Sequence, residues 1–337
     1  MKLLERHACP LCKSDGIELF QEGTINPETL TSKNFRITDN AYGSLWTFYQ
    51  CSSCNFVFSN PYIPEEDIID FYSSLEDYEY TDEAGGRAKN FYSILKSLDK
   101  VNKSDKSVLD IGAASGIFLY IAKKYGYDIT GIEPSEYLVK EAKEKFDISI
   151  YKGTIENFKS DKKYSVITLL DIIEHLVDAD KFIKQIDKFI KDEGILVIVT
   201  PDVNSITAKI FKKKWWHYRI AHINFFNFAS IKYLLESNHY EIVKKKRYAW
   251  NFSLYYLVTR LFPKLKDNKN AQKFLKKINI KLQLFDSWEI YAKRKPEAEI
   301  QLFKKALKMY KEQYVDNDIS LQYKELETDI DDEFDDE

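Results

Sequence analysis

Between residues 107 and 248 short apolar runs alternate with amphipathic ones, and this alternation limits the possible folds more than any other feature of the chain. SVLDI, YDITGIE, ISIYKG, YSVITLLD and GILVIVTP each read as a strand. Between them, GIFLYIAKKYG reads as a helix closed by Gly126, and residues 135–146 read as a second helix. KFIKQIDKFIKDEG places Phe182, Ile183, Ile186, Phe189 and Ile190 on one helical stripe that stops at Gly194. Strands that alternate with helices imply a parallel sheet covered on both faces. The expected class is α/β, with a doubly wound, mostly parallel sheet.

At either end the pattern changes. Residues 1–62 hold all four cysteines and close on the turn signal NPYIP, and residues 63–104 read as helical and tyrosine-rich. Beyond the alternating region, ASIKYLLESNHYEI reads as one more helix and strand. Residues 251–284 read as an aromatic and basic helical stretch interrupted by FPKLKDNKN, and DSWEIYAKRK as a last strand returning to the sheet. A charged helix after Pro296 leads to ELETDIDDEFDDE, where the density of acid favours a solvated tail. These breaks divide the chain into a lobe at 1–62, a helical linker or cap at 63–104, a core at 105–295 with a helical insertion near 251–284, and a charged helix with acidic tail at 296–337.

The paired cysteines give the lobe its chemistry. No apolar run reaches the roughly 18 residues a spanning helix needs, and the start, MKLLERHACP, is too short in apolar residues and too early in acid for a secretory signal. A cytoplasmic setting is therefore expected, where thiols stay reduced. Cys9 and Cys12 form one C-x-x-C knuckle, and Cys51 and Cys54 form a second. Two knuckles supply four thiolates for one tetrahedral zinc, with no position left open for catalysis. The alternative is four reduced thiols in a small core.

VLDIGAASGIF carries the strongest functional signal. A strand ends at Asp110, and the chain turns through Gly112, Ala113, Ala114 and Gly116 into a helix. Small residues there let a ligand approach the backbone, and a helix N-terminus offers free N–H groups. The next strand ends at Glu133, 23 residues after Asp110, where a carboxylate can accept from two ribose hydroxyls. A dinucleotide fingerprint would need G-x-G-x-x-G, but Ala114 and Ile117 stand at its second and third glycines.

The pattern Asp-x-Gly-x-Ala-x-Gly instead resembles the first motif of class I S-adenosylmethionine-dependent methyltransferases, with Ala114 in place of the usual middle glycine. GTIENF, YSVITLLDIIEHL and GILVIVTPD resemble later motifs of the same family, so the resemblance covers roughly residues 105–250. It implies a Rossmann-like core. It also implies cofactor-binding roles for Asp110, Gly112, Ala113, Gly116, Glu133 and Pro134, for Ile155 and Glu156 beside the adenine, and for Asp171 near the transferred methyl. A cysteine lobe ahead of such a core resembles sugar C- and O-methyltransferases of deoxysugar and surface-glycan pathways. In that arrangement the lobe and the tyrosine-rich helices would cover the acceptor pocket.

DIIEHL ends the fourth strand with Asp171, Glu174 and His175 at spacings that share one face of any helical turn. Acids at a helix start are ordinary, and this is the bland reading. If the acceptor is a hydroxyl, His175 suits a general base, with Glu174 beside it. Quinone-biosynthesis O-methyltransferases carry a similar Glu-x-x-Glu-His cluster thought to hold a divalent ion, and Asp171 stands where they have the first Glu. KKKWWHYRIAHINFF resembles an acceptor-lining stretch of small-molecule methyltransferases and makes His222 a second base candidate, with His217 and Tyr218 behind it.

The reading that follows is a methyltransferase using S-adenosyl-L-methionine and a structural Zn2+, acting on a sugar, nucleotide-sugar or surface-glycan precursor. A quinone-like phenol acceptor is the alternative. A zinc-ribbon protein that binds nucleic acid or modifies RNA is the alternative of another class. Its basic surface is missing from a composition whose net charge is -3. No nucleic-acid partner is therefore expected, and oligomeric state is open.

Overall fold

A computed structural model describes residues 2–36, 44–77, 84–261 and 274–314. The expected acidic tail and the FPKLKDNKN interruption lie outside these residues.

Seven strands make the central sheet: β4 (Ser107–Ile111), β5 (Asp128–Glu133), β6 (Tyr151–Lys152), β7 (Tyr164–Leu170), β8 (Ile190–Pro201), β10 (Tyr240–Arg247) and β13 (Ser287–Arg294). Their order is β10-β13-β8-β7-β4-β5-β6. The five from β4 to β8 pair in parallel, while β13 runs antiparallel to β8, and β10 antiparallel to β13. Every residue of β4 and the first six of β7 are buried, as expected of strands covered on both faces. Successive connections wind in opposite directions from β4, so a crevice opens beyond the carboxyl ends of β4 and β7.

The helices cover this sheet with the apolar stripes legible in the sequence. Ile117, Phe118, Leu119 and Ala122 of α3 (Ile117–Lys124) are buried, and so are Phe182, Ile183 and Ile186 of α5 (Ala179–Asp187). Burying a large apolar side chain contributes about 1.5–3 kcal/mol, which is why such stripes hold a helix whose own propensity is ordinary. Phe118 meets Phe91 of α2 (Ala84–Val101) edge to face at 5.6 Å between ring centroids, which ties α2 to the core. Among the described residues no helix is long and apolar enough to cross a membrane.

Two expectations need correction. The stripe assigned to one helix through Gly194 is broken: α5 stops at Asp187, and Ile190 pairs with Tyr164 at the start of β8. The ladder then slips, with Ile195 opposite Val166 and Glu193 at φ +59°, so the polar Lys191–Gly194 segment bulges outward. Phe189 and Ile190 fit a helical period and a buried strand equally well, and pairing with β7 decides between them. The supposedly helical 251–284 region also holds an antiparallel pair, β11 (Trp250–Ser253) with β12 (Asn279–Leu282), around α8 (Leu254–Leu261). Asn90 of α2 fixes that pair, its Oδ1 accepting from the Asn251 backbone N–H at 2.8 Å and side-chain amide at 2.6 Å.

The cysteine lobe is a four-stranded antiparallel sheet, but only three strands come from the lobe. β1 (Ile17–Gln21), β2 (Phe48–Cys51) and β3 (Val57–Ser59) are joined by β9 (Asn224–Phe225), which pairs with β3. The Ser59 N–H also donates to Ile223 O at 2.7 Å, and the buried Trp46 indole donates to Ile220 O at 2.8 Å. The lobe is therefore bound to the same loop that carries His217 and His222.

Candidate cofactor and acceptor site

The turn between β4 and α3 sets one wall. Gly112 and Gly116 sit at φ +75° and +73°, and Ala114 at +46°, a left-handed run that glycine enters without cost and other residues do not. A Cβ on Gly112 would lie 2.2 Å from Ile172 Cδ1, so the glycine also allows the β7 loop to close over the turn. Gly116 has another task. It caps α3 and packs against Ala142 and Ile150, and it is not among the residues lining the cavity. Four N–H groups of the turn are already used within the protein. The N–H groups of Gly112 and Ala113 both donate to Ile132 O, Ala114 N–H donates to Glu133, and Gly116 N–H donates to Ala113 O.

What the turn presents is acid. Asp110 is buried on the lining, its Oδ1 accepting from the Thr168 hydroxyl at 2.6 Å, and burial pushes its carboxyl up to about 7. Glu133 ends β5 with one oxygen on Ala114 N–H and the other on Ser135 N–H, both at 2.9 Å. Burial lifts this acid to about 7 as well, against the pull of those two donors. Each oxygen keeps a lone pair for one more donor, which suits the adjacent hydroxyls of a ribose. Pro134, Leu138, Ile155 and Glu156 continue the wall and could flank a flat base.

The DIIEHL segment differs from its expected geometry. Asp171 takes a left-handed conformation (φ +57°) as β7 ends, and only Ile173–His175 forms a short 3₁₀ turn. Asp171 lines the cavity. Burial raises it to about 6, with His217, Arg87 and Arg219 pulling the other way. Glu174 turns into the protein behind the lining, accepts from the Thr200 hydroxyl at 2.9 Å, and is held well above the usual carboxylate range by burial. His175 lies on the lining with Nδ1 at 2.7 Å from Ala221 O and 2.8 Å from the Tyr72 hydroxyl. A carbonyl only accepts, so Nδ1 carries the proton and Nε2 the lone pair.

His222 crosses His175 at right angles, with ring centroids 4.7 Å apart. Burial pushes His175 down to about 4 and His222 well below its ordinary value. Among the described residues of this site, Glu174, His175 and His222 bring one ligating atom each within 4.8 Å of the others, and Asp171 is not part of that group. Glu174 Oε1 and His222 Nδ1 are buried without hydrogen-bond partners, so the donor set fits a divalent cation.

One cavity of about 1090 Å³ holds both walls. Such a volume exceeds that of most single-ligand sites, roughly 300–1,000 Å³. Its cofactor side carries Asp110, Glu133, Glu156 and Asp171. Its other side is lined by Phe211, Trp216, Trp250, Phe252, Tyr256 and Leu257.

Residues 86–245 match the family model described as a methyltransferase domain. This segment is similar to methyltransferase domains. Two curated relatives are both named ubiquinone biosynthesis O-methyltransferase. The Pelagibacter ubique protein is 34% identical over 111 residues, covering 32% of this chain and 46% of its own length. The Rickettsia bellii protein is 29% identical over 102 residues, covering 29% of this chain and 42% of its own. The chain thus spans less than half the length of these relatives. A solved S-adenosylmethionine-dependent methyltransferase from Archaeoglobus fulgidus is 21% identical, with 65% of this chain and 100% of that one covered at a TM-score of 0.46.

Several lining residues were marked by no motif. Phe35 and Arg36 come from the cysteine lobe, Tyr72 from α1 (Glu65–Ser73), Arg87 and Phe91 from α2, and Trp250 and Phe252 from β11. Asp286, the residue before β13, holds Trp216 and His217 from behind. These positions are separated from the motifs in sequence, and only the tyrosine-rich composition of the cap gave a signal.

The cysteines meet as their spacing implies. All four are buried and unbridged, with Cys9 Sγ 3.7 Å from Cys54 Sγ and Cys12 Sγ 3.5 Å from Cys51 Sγ. Four thiolates around one zinc at about 2.3 Å would stand about 3.8 Å apart, so the cluster has the size and chemistry of a closed zinc site.

Proposed function

We propose that this chain transfers the methyl group of S-adenosylmethionine to a hydroxyl on a small acceptor whose reactive part is aromatic or otherwise apolar. The observation that carries the proposal is the single cavity, in which the Glu133 carboxylate at one end shares its space with three histidines and an aromatic wall at the other. Glu133 orients the nucleoside through its ribose, and Ile155 and Pro134 flank the base. Asp110 and Asp171 favour a cationic ligand beside the turn. The bound cofactor supplies an activated methyl on a sulfonium, so the protein has to align an oxygen with it, keep water out and accept a proton. Phe35, Tyr72 and Phe91 close the cavity from the lobe and cap.

A phenolic acceptor is favoured by the lining, since Trp216, Trp250, Phe252 and Tyr256 offer flat aromatic faces and Leu257 an apolar one. The relatives named for ubiquinone biosynthesis point the same way. A nucleotide sugar is the second reading, and Arg36, Lys214 and Arg219 on the lining support it because they suit an anionic group. The cysteine cluster is proposed to hold one structural zinc, with residues 1–62 as a lobe that shapes the acceptor side.

The test is to incubate the purified chain with S-adenosylmethionine and a panel of catechols, monophenols and nucleoside-diphosphate sugars, and to measure release of S-adenosylhomocysteine. Turnover with a catechol supports the first reading, and turnover confined to nucleotide sugars supports the second. Absence of S-adenosylhomocysteine binding, with tight binding of NAD instead, would refute both.

A further inference from the structure

We infer that His217, rather than His175 or His222, takes the proton from the acceptor hydroxyl, and that Asp286 is the residue that positions it for this. The inference rests on the hydroxyl-methylation reading above and adds to it the group that completes the reaction.

The geometry is that of a carboxylate-held imidazole. His217 Nε2 lies 3.1 Å from Asp286 Oδ2, and the Trp216 indole N–H donates to the same oxygen at 2.8 Å. The Asp286 side chain is fully buried. Burial alone would raise its acid, but the hydrogen bonds from His217 and Trp216, together with the positive charge His217 carries when protonated, hold it below the ordinary value, so it is a carboxylate. A carboxylate accepts, so Nε2 of His217 carries the proton and Nδ1 is the basic atom left to the ring. That ring lines the cavity. Asp286 cannot drift, because its backbone carbonyl accepts from Asp202 N–H at 2.8 Å, at the carboxyl end of β8.

The other two histidines are placed differently. His175 is wedged between Ala221 O and the Tyr72 hydroxyl, and no carboxylate hydrogen-bonds its ring among the described contacts. His222 packs against the rings of His175 and His217, and no carboxylate hydrogen-bonds its ring among the described contacts. His217 is faced by Asp286 and Asp171 as well as by His222, so a proton arriving there meets two carboxylates. A carboxylate that stabilises an imidazolium as it forms is the general logic of carboxylate–histidine pairs in acyl transfer.

The step balances. A lone pair on the acceptor oxygen forms the new C–O bond while the C–S bond breaks, and that bonding pair stays on sulfur to give the neutral thioether. The hydroxyl proton passes to His217 Nδ1. The positive charge that began on the sulfonium ends on an imidazolium paired with Asp286, and the proton leaves to water when product departs.

The experiment uses the full chain and the acceptor found active in the panel above. Asp286→Asn keeps an oxygen for both donors but removes the charge, so turnover should fall about 10²–10⁴-fold with affinity for S-adenosylhomocysteine unchanged. His217→Ala should lose as much, and added imidazole should restore part of it, which a merely structural role would not allow. His175→Ala and His222→Ala should cost less. Independently of any acceptor, ¹⁵N-histidine spectra of the five-histidine chain should show His217 protonated at Nε2 in the wild type. A His217 protonated at Nδ1, or an Asp286→Asn loss no larger than that of His175→Ala, would overturn the assignment. Failure to bind S-adenosylhomocysteine would instead sink the methyltransferase reading and leave the tautomer result to judge the pair.

Discussion

Replacing Glu133 by Gln tests the cofactor cradle at its most specific contact. In the native site one oxygen accepts from Ala114 N–H and the other from Ser135 N–H, each at 2.9 Å, which leaves each oxygen one lone pair for a ligand. Glutamine brings one oxygen and one NH2. One backbone donor then faces another donor, at a cost of about 1–3 kcal/mol in stability. One ribose hydroxyl also loses its acceptor. At pH 8, where Glu133 is ionised, a hydrogen bond to this charged acceptor is worth about 1.5–3 kcal/mol, so affinity should fall about 10- to 150-fold. Titration calorimetry with S-adenosylhomocysteine measures this directly, and a nucleoside pair isolates the contact. The variant should lose affinity for adenosine but hardly any for 2′,3′-dideoxyadenosine, which has no hydroxyls to offer. Equal losses for both nucleosides, or no loss at all, would refute the proposed ribose contact.

Other consequences follow from the same geometry. Because burial raises Glu133 to about 7 in the folded chain, its neutral form is favoured; the associated stability is present at acid pH and lost as pH rises through about 7. The stability difference between wild type and Glu133→Gln, from urea melts, should therefore shrink by up to about 3 kcal/mol between pH 5 and pH 8, and a flat difference would contradict the burial argument. Gly112→Ala should cost about 1–2 kcal/mol for the left-handed backbone and push Ile172 toward the cofactor, lowering both melting temperature and affinity; an unchanged melting temperature would count against it. Purified protein should carry one zinc per chain by elemental analysis. Because β3 pairs with β9 next to His222, Cys51→Ser should lower turnover while sparing cofactor affinity. A zinc-free chain with full stability and turnover would show that the thiols are only core residues.

The core was legible because its signals are local. VLDIGAASGIF is a strand, a left-handed turn and a helix within eleven residues, and Glu133 ends the very next strand. The C-x-x-C knuckles were legible for the same reason, since each pair is fixed by one tight turn. What escaped was set by tertiary pairing. Ile190 fits a helical stripe until β7 claims it, and Asn224–Phe225 has no strand signature of its own before β3 supplies a partner. DIIEHL shows the limit most clearly. Spacing put Asp171, Glu174 and His175 on one face, but a left-handed Asp171 turns the chain there, so the shared face never forms, and His222 arrives from 47 residues downstream to meet Glu174 and His175. Asp286, 69 residues beyond His217, carries no motif at all, and only the return of β13 to the sheet brings it behind the acceptor loop.

The central claim is that one cavity aligns a sulfonium methyl with an acceptor oxygen beside His217. A crystal structure of the chain with S-adenosylhomocysteine tests it most directly. The account predicts ribose hydroxyls on both oxygens of Glu133, the adenine between Pro134 and Ile155, and the sulfur facing open space bounded by Asp171, His217 and Trp216. Nucleoside bound away from Glu133, or a sulfur turned toward the protein with no path to His217, would contradict it.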